Sequence, residues 1–118
     1  MSYIDGYLLA VPKKKIKDYK AMARYSEKVW RKHGALDYRE CVGDDLKTKT
    51  WIPFTRVMKT KPGETVVFSY IVFKSRAHRD RVNAAVMKEM GKMEHPGTMP
   101  FDEKRIVYGG FEVLAGFK

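Results

Sequence analysis

The chain has 118 residues, 44% of them hydrophobic, and 24 Lys or Arg against 14 Asp or Glu give a formal net charge of +10. That is material for one core rather than two, so a single domain over residues 1–118 is expected. Uncharged stretches such as Val66 to Phe73 fall far short of the ~20 apolar residues of a membrane span, and Met1 to Gly6 lacks a basic and then apolar leader, which together predict a cytoplasmic protein.

The first predicted element is a strand from Tyr3 to Val11, closed by Pro12, which cannot continue a central strand. An amphipathic helix follows over about Lys13 to His33. Its inner stripe of Ile16, Tyr19, Met22, Ala23, Ser26, Val29, Trp30 and His33 recurs at spacings of three and four. His33 and Gly34 close it, because glycine just past the last turn takes the left-handed cap conformation and a cation there suits the helix dipole. A second strand runs from Leu36 to Val42. It contains the only cysteine, Cys41, so no internal disulfide and no thiolate metal cluster within one chain is available. A strand position without an activating neighbour predicts a buried structural thiol there.

Residues 46–65 have no clear periodicity, and a structureless loop that long is uncommon, so a short extra element is expected near Pro53 to Met58. Pro62-Gly63 then turns into Val66 to Phe73, a near-continuous apolar strand that predicts burial on both faces. Ser75 is placed to cap a helix running to about Met90, with Ala77, Val82, Ala85, Val86 and Met90 on its inner face. After His95-Pro96-Gly97 a last strand is expected from Lys104 to Leu114, where Gly109-Gly110 points to a bulge or a close backbone approach.

The resulting order is β, α, β, β, α, β, the split-βαβ arrangement of an α+β, ferredoxin-like domain with a four-stranded antiparallel sheet and two helices on one face. Such a sheet leaves its other face bare. Apolar on both sides, it is expected to cover that face by pairing with a second copy of itself.

Several local patterns are distinctive: Tyr3-Ile4-Asp5-Gly6, His33-Gly34-Ala35-Leu36 with Glu40-Cys41, Gly63 to Tyr70, Ser75-Arg76 with Arg79-Asp80 and Asn83, and Met99-Pro100-Phe101-Asp102 running to Arg105 and Tyr108-Gly109-Gly110-Phe111. In these the chain resembles the YbaA-like family of uncharacterised bacterial proteins, over almost its full length. The resemblance implies a dimeric α+β barrel, in which two four-stranded sheets close on each other with the helices outside, and no established activity. Members of that broad group include enzymes that work without a cofactor, so the analogy permits catalysis, although a fold is not a function.

Strand alternation supplies candidate site residues. Tyr3, Asp5, Tyr7 and Leu9 share one face of the first strand, Tyr38 and Glu40 one face of the second, and Tyr108, Gly110 and Glu112 one face of the last. If these faces coincide, one wall of the sheet carries three carboxylates and several phenols, which either act as general acids and bases or are satisfied by Arg and Tyr partners at a dimer seam. Asp5, an acid in the middle of an apolar strand, is the leading functional candidate, with His33 and Tyr108 beside it. Glu40, Arg79 and Arg105 are further candidates for holding a ligand, the arginines through their planar forks. Helix capping already accounts for His33, and solvated charge or pairing with the acids accounts for Arg79 and Arg105. His78 and His95 read as surface residues, and the three histidines have no metal-ligand spacing, so neither a metal nor a cofactor is expected. Met87, Met90, Met93 and Met99 read as adaptable packing.

Between Lys13 and Lys32 nine Lys or Arg face only Asp18 and Glu27. Lys13, Lys14, Lys15, Lys17 and Lys20 therefore offer an alternative function, attraction of nucleic-acid phosphates to this helix. The third strand lacks the basic-glycine-aromatic pattern of a base-stacking RNA motif, which leaves that attraction nonspecific. The leading expectation is a homodimeric module binding a small organic molecule, either inside the barrel or between sheet and helices.

Overall fold

The computed structural model describes residues 2–91 and 99–117. Its main strands are β1 (Tyr3–Pro12), β2 (Asp37–Val42), β3 (Glu64–Phe73) and β4 (Val107–Glu112), and its helices α1 (Ile16–Lys32), the single turn α2 (Phe54–Val57) and α3 (Arg76–Met90). Short 3-10 turns cover Lys13–Lys15 and Glu103–Arg105. All strands are antiparallel in one sheet of order β2-β3-β1-β4. His95 and Met93, both singled out in the sequence, lie outside the described residues.

Local chemistry explains the boundaries. Pro12 ends β1, and the Lys13 N–H donates to Gly63 O instead of continuing a helix backward. At the end of α1, Gly34 adopts φ 106°, its N–H donates to Arg31 O and that of Ala35 to Trp30 O, the paired bonds of a Schellman cap. The Ser75 hydroxyl accepts from the His78 N–H and opens α3. The extra element expected near Pro53 is α2, preceded by Pro53 in extended conformation.

Register fixes which side chains share a wall. Tyr3 pairs with Phe73 and Glu112, Asp5 with Ile71 and Gly110, Tyr7 with Ser69 and Tyr108, and Glu40 with Ser69. Odd residues of β1 and β3 and even residues of β2 and β4 thus lie together on the face covered by α1 and α3. There Tyr3, Ile71 and Phe73 pack with Val29, Trp30, Val82 and Val86, while Leu9, Val11 and Val67 pack with Tyr19 and Ala23.

The opposite face is covered only at one end. Met58 and Leu46 reach over from the β2–β3 connection onto Ala10, Val66 and Leu8, and Phe54 meets the edge of Phe68. Beyond that cover Phe68, Val107 and Phe111 stay exposed, so β3 is buried on its helix side and only in part on the other. The expectation of a wholly bare face is corrected to this extent.

Three smaller expectations also change. Cys41 is exposed, because edge strand β2 turns it away from the helices with Asp37 and Arg39. Ala77 is exposed, because the inner face of α3 runs through Arg79, Val82, Asn83 and Val86. The last strand is shorter than expected, since Glu103–Arg105 coil into a 3-10 turn. Gly109-Gly110 makes no bulge: the register runs through both, and Gly110 serves close approach, because a Cβ there would lie 2.8 Å from Tyr3 Cε2. Among the described residues no helix is long and apolar enough to cross a membrane.

Candidate functional site

Asp5 is fully buried in the middle of β1, under α3. Its Oδ1 accepts from Arg79 Nη1 at 3.0 Å and from the Tyr108 hydroxyl at 3.1 Å, and its Oδ2 accepts from Asn83 Nδ2 at 2.9 Å. Arg79 also donates to Tyr108 Oη and stacks its guanidinium 4.9 Å from the centre of the Tyr3 ring. Burial works against the Arg79 charge, but Asp5 and the neighbouring phenols outweigh it and raise its pKa. Arg79 Nε sits 2.9 Å from the exposed Asp80 carboxylate without the alignment of a hydrogen bond. Asn83 Oδ1 in turn accepts from Trp30 Nε1 at 3.1 Å, which carries the network from the sheet to α1. Every carboxylate oxygen of Asp5 is satisfied, so the cluster pins α3 to the sheet.

A second carboxylate lies across the same wall. Glu40 Oε1 accepts from the Tyr19 hydroxyl of α1 at 2.7 Å, and Oε2 from the Tyr38 hydroxyl of its own strand at 2.5 Å. Burial, and after it the Glu40 charge, push both phenols well above the usual tyrosine range, so they remain donors at any physiological pH. Tyr7, stacked on Tyr108 at 4.9 Å, is raised by burial and by Asp5.

This carboxylate borders open space. Between α1, α3 and the sheet is a cavity of about 770 Å³, with Glu40, Tyr7, Tyr19, Tyr38 and Ser69 on its walls amid Leu9, Trp30, Ile71, Met22, Met87, Met90, Met99 and Phe101. Lys15 and Asp18 also line it, one cation and one anion. A smaller cavity of about 460 Å³ lies on the far side of Glu40, and Tyr19, Tyr38 and Glu40 line both. The phenol–carboxylate–phenol bar is therefore the partition between them. A mostly apolar chamber of this size with a few converging polar groups has the build of a small-molecule site.

The predicted residues separate into groups. The structure brings Asp5, Arg79 and Tyr108 together, and it puts Glu40 on the same wall, as the alternation of the strands requires. Asp5 and Glu40 find Arg and Tyr partners on the helix side of the sheet and not on its open face, whereas Glu112, the third acid of that wall, is exposed. His33 is the C-cap of α1, and its Nε2 lies 2.8 Å from Glu89 Oε1, so it ties α1 to α3. Arg105 grips Glu64 with two bonds of 2.6 and 2.9 Å and Asp102 with a third of 2.9 Å, at the Glu64 end of β3. His78 accepts the Lys74 N–H on Nδ1 and packs edge-on to Phe73. Lys13, Lys14, Lys17 and Lys20 are exposed, with Lys15 half-buried. Sequence reasoning missed Tyr19 and Asn83 as site residues. Both sit on helical stripes at positions filled elsewhere by apolar groups, and a polar group in such a stripe, opposite a strand acid, is the signal that finds them. Among the described residues no cluster of His, Cys, Asp and Glu could hold a metal ion.

A family model described as "Protein of unknown function (DUF1428)" matches residues 2–103. The chain is 38% identical over 114 residues to "Uncharacterized protein YbaA" of Escherichia coli K12 and, equally, to that of Shigella flexneri, with 97% of each sequence covered. A solved structure titled "De novo designed protein Foldit4" aligns over 96% of this chain and 99% of its own at 10% identity and a TM-score of 0.48.

Proposed function

The chain belongs to the family described as Protein of unknown function (DUF1428), and from that premise we propose that it is a one-domain, ferredoxin-like module that binds a small organic molecule in the chamber between sheet and helices. The observation that carries this reading is the chamber itself, about 770 Å³ of largely apolar space with the Tyr19–Glu40–Tyr38 group at its wall. A carboxylate held by two phenols beside a bound ligand also has the position of a general base that needs no cofactor. The protein acts as a homodimer in the cytoplasm. Its half-covered sheet face supports pairing: Ile4, Leu8, Phe68, Tyr70, Val72, Val107 and Phe111 share it, and its one cation, Arg39, is neutralised by Asp37 at 3.4 Å. In a chain with 24 Lys or Arg, a face whose few charges are paired, Arg39 with Asp37 and Glu64 with Arg105, marks a contact surface.

Native mass spectrometry of gently purified protein tests both halves of this reading. A dimer carrying a discrete small added mass is expected, and Ser69→Phe, which fills the chamber from a buried position, removes the added mass while keeping the dimer. A monomer, or an adduct indifferent to Ser69→Phe, contradicts it.

A second reading is favoured by one observation. Lys17, Lys20, Arg24, Lys28 and Arg31 are all exposed and spaced three and four apart, a cationic stripe of about 21 Å along α1. Lys13 and Lys14 extend it, so this helix would bind nucleic-acid phosphates without regard to sequence. With fluorescent RNA, affinity should fall steeply with salt, and reversing Lys17, Lys20 and Arg24 to Glu should reduce the log–log slope by about 0.7 to 0.9 per lost contact. No binding at low salt ends this reading.

A further inference from the structure

Glu40 decides what kind of molecule the chamber accepts. Both of its oxygens already accept a phenolic hydrogen, from Tyr19 and from Tyr38. An ionised carboxylate has about four acceptor positions, so two remain, and none of its positions can donate. The two phenols have spent their single hydrogens on Glu40 and keep them, because burial and the nearby charge hold both hydroxyls protonated. The polar spot on the chamber wall is therefore an acceptor and an anion. Around it the wall is mostly thioether and hydrocarbon, from Met22, Met90, Phe101 and Ile71, with the neutral hydroxyls of Tyr7, Ser26 and Ser69 among them. Among the described residues the lining holds one cation, Lys15, and a second carboxylate, Asp18, so its formal charge with Glu40 counted is negative.

Resting on the reading of the chamber as a ligand site, we propose that its ligand is an uncharged, largely apolar molecule presenting a hydroxyl or N–H to Glu40, and that carboxylate- and phosphate-bearing molecules are rejected. An anion would be brought into an apolar space facing a fixed negative charge, with burial and repulsion acting in the same direction. A neutral donor gains a hydrogen bond to a charged acceptor, which is stronger than a neutral one. The net charge of +10 would favour anions on the outer surface, so this preference inside the chamber runs against the field of the whole molecule.

Three probes of similar shape, naphthol, naphthalene and naphthoate, separate these effects when titrated calorimetrically into the full chain near neutral pH. Naphthol should bind at least about tenfold more tightly than naphthalene, the worth of one charge-assisted hydrogen bond, and naphthoate should bind more weakly than either. Glu40→Gln, which keeps the shape and removes the charge, should bring naphthol and naphthoate to within about threefold of each other. Naphthoate binding as tightly as naphthol to the unaltered chain overturns the proposal, and that result needs no variant to fold. Naphthalene binding with no preference among the three leaves the chamber a ligand site and removes only the selectivity. Failure of all three to bind overturns the chamber reading along with it.

Discussion

Asp5 and Glu40 stand on one wall of the sheet and are held differently. Asp5 has three donors and no contact with open space, whereas Glu40 has two phenols and a cavity on either side. Asp5→Asn should thus act on stability first: it leaves the mostly buried Arg79 with only the exposed Asp80 carboxylate as counter-charge, and a loss of about 3 kcal/mol is expected in urea denaturation. A loss below about 1 kcal/mol would show that Tyr108 and solvent suffice to hold Arg79. The pairing of Asp5, Glu40, Tyr38 and Tyr108 on one wall was legible, because side chains alternate along strands whatever the fold around them. Which layer that wall faces was not legible. The answer lay in Arg79 and Asn83, whose spacing with Val82 and Val86 matches the inner face of a helix but whose polarity reads as solvent. Cys41 was misjudged for a related reason: cysteine is buried on average, and only the edge position of β2 and its parity with Arg39 put it outside.

At the scale of elements, two contacts hold the ends of the sheet. Gly110 lets the Tyr3 ring lie across β4, while Gly109 on the other face has Phe111 at 3.5 Å and room for a methyl. Gly110→Ala should therefore cost about 1–3 kcal/mol by overpacking, and Gly109→Ala less than about 0.5, both read from thermal or chemical unfolding. The sequence raised this pair as bulge or close approach without deciding between them, since the decision depends on a tyrosine of the neighbouring strand, two register positions along from the partner of Gly110. Arg105 joins the Glu103–Arg105 turn to the start of β3. Its hydrogen bonds hold Glu64 and Asp102 below the usual carboxylate range, as those of His33 and Lys32 do for Glu89. A depressed carboxylate pKa stabilises the fold fully above the unfolded value and less as pH falls through the folded one. Stability should thus be level down to about pH 5 and decline below about pH 4, and Arg105→Met should flatten part of that decline in pH-dependent denaturation. Parallel profiles for the two proteins would mean that the Arg105 pairs contribute nothing.

For the whole molecule, the order of strands and helices followed from periodicity, but the chamber did not. It lies between α1, α3 and the sheet, and no one-dimensional pattern encodes the space between two helices. The half-covered face is likewise a property of the assembled sheet: residues 46–58 fold back over Ala10 and Val66 and stop short of Phe111. In a two-fold dimer through that face a new charge meets its own twin near the axis. Phe68→Lys should accordingly shift the protein to monomer in sedimentation velocity at micromolar concentration while the isolated fold persists. An unchanged dimer would place the contact elsewhere.

The chamber is walled by four thioethers, from Met22, Met87, Met90 and Met99, reaching in from three separate parts of the chain. Unbranched and easily re-rotated, such side chains conform to guests of different outline at little cost, as they do on surfaces that serve many partners. Glu40, fixed by two phenols, has no comparable freedom. A ligand site of the kind proposed would in this way be strict about the polarity of what enters and lenient about its contour, the combination suited to a group of related compounds rather than to one.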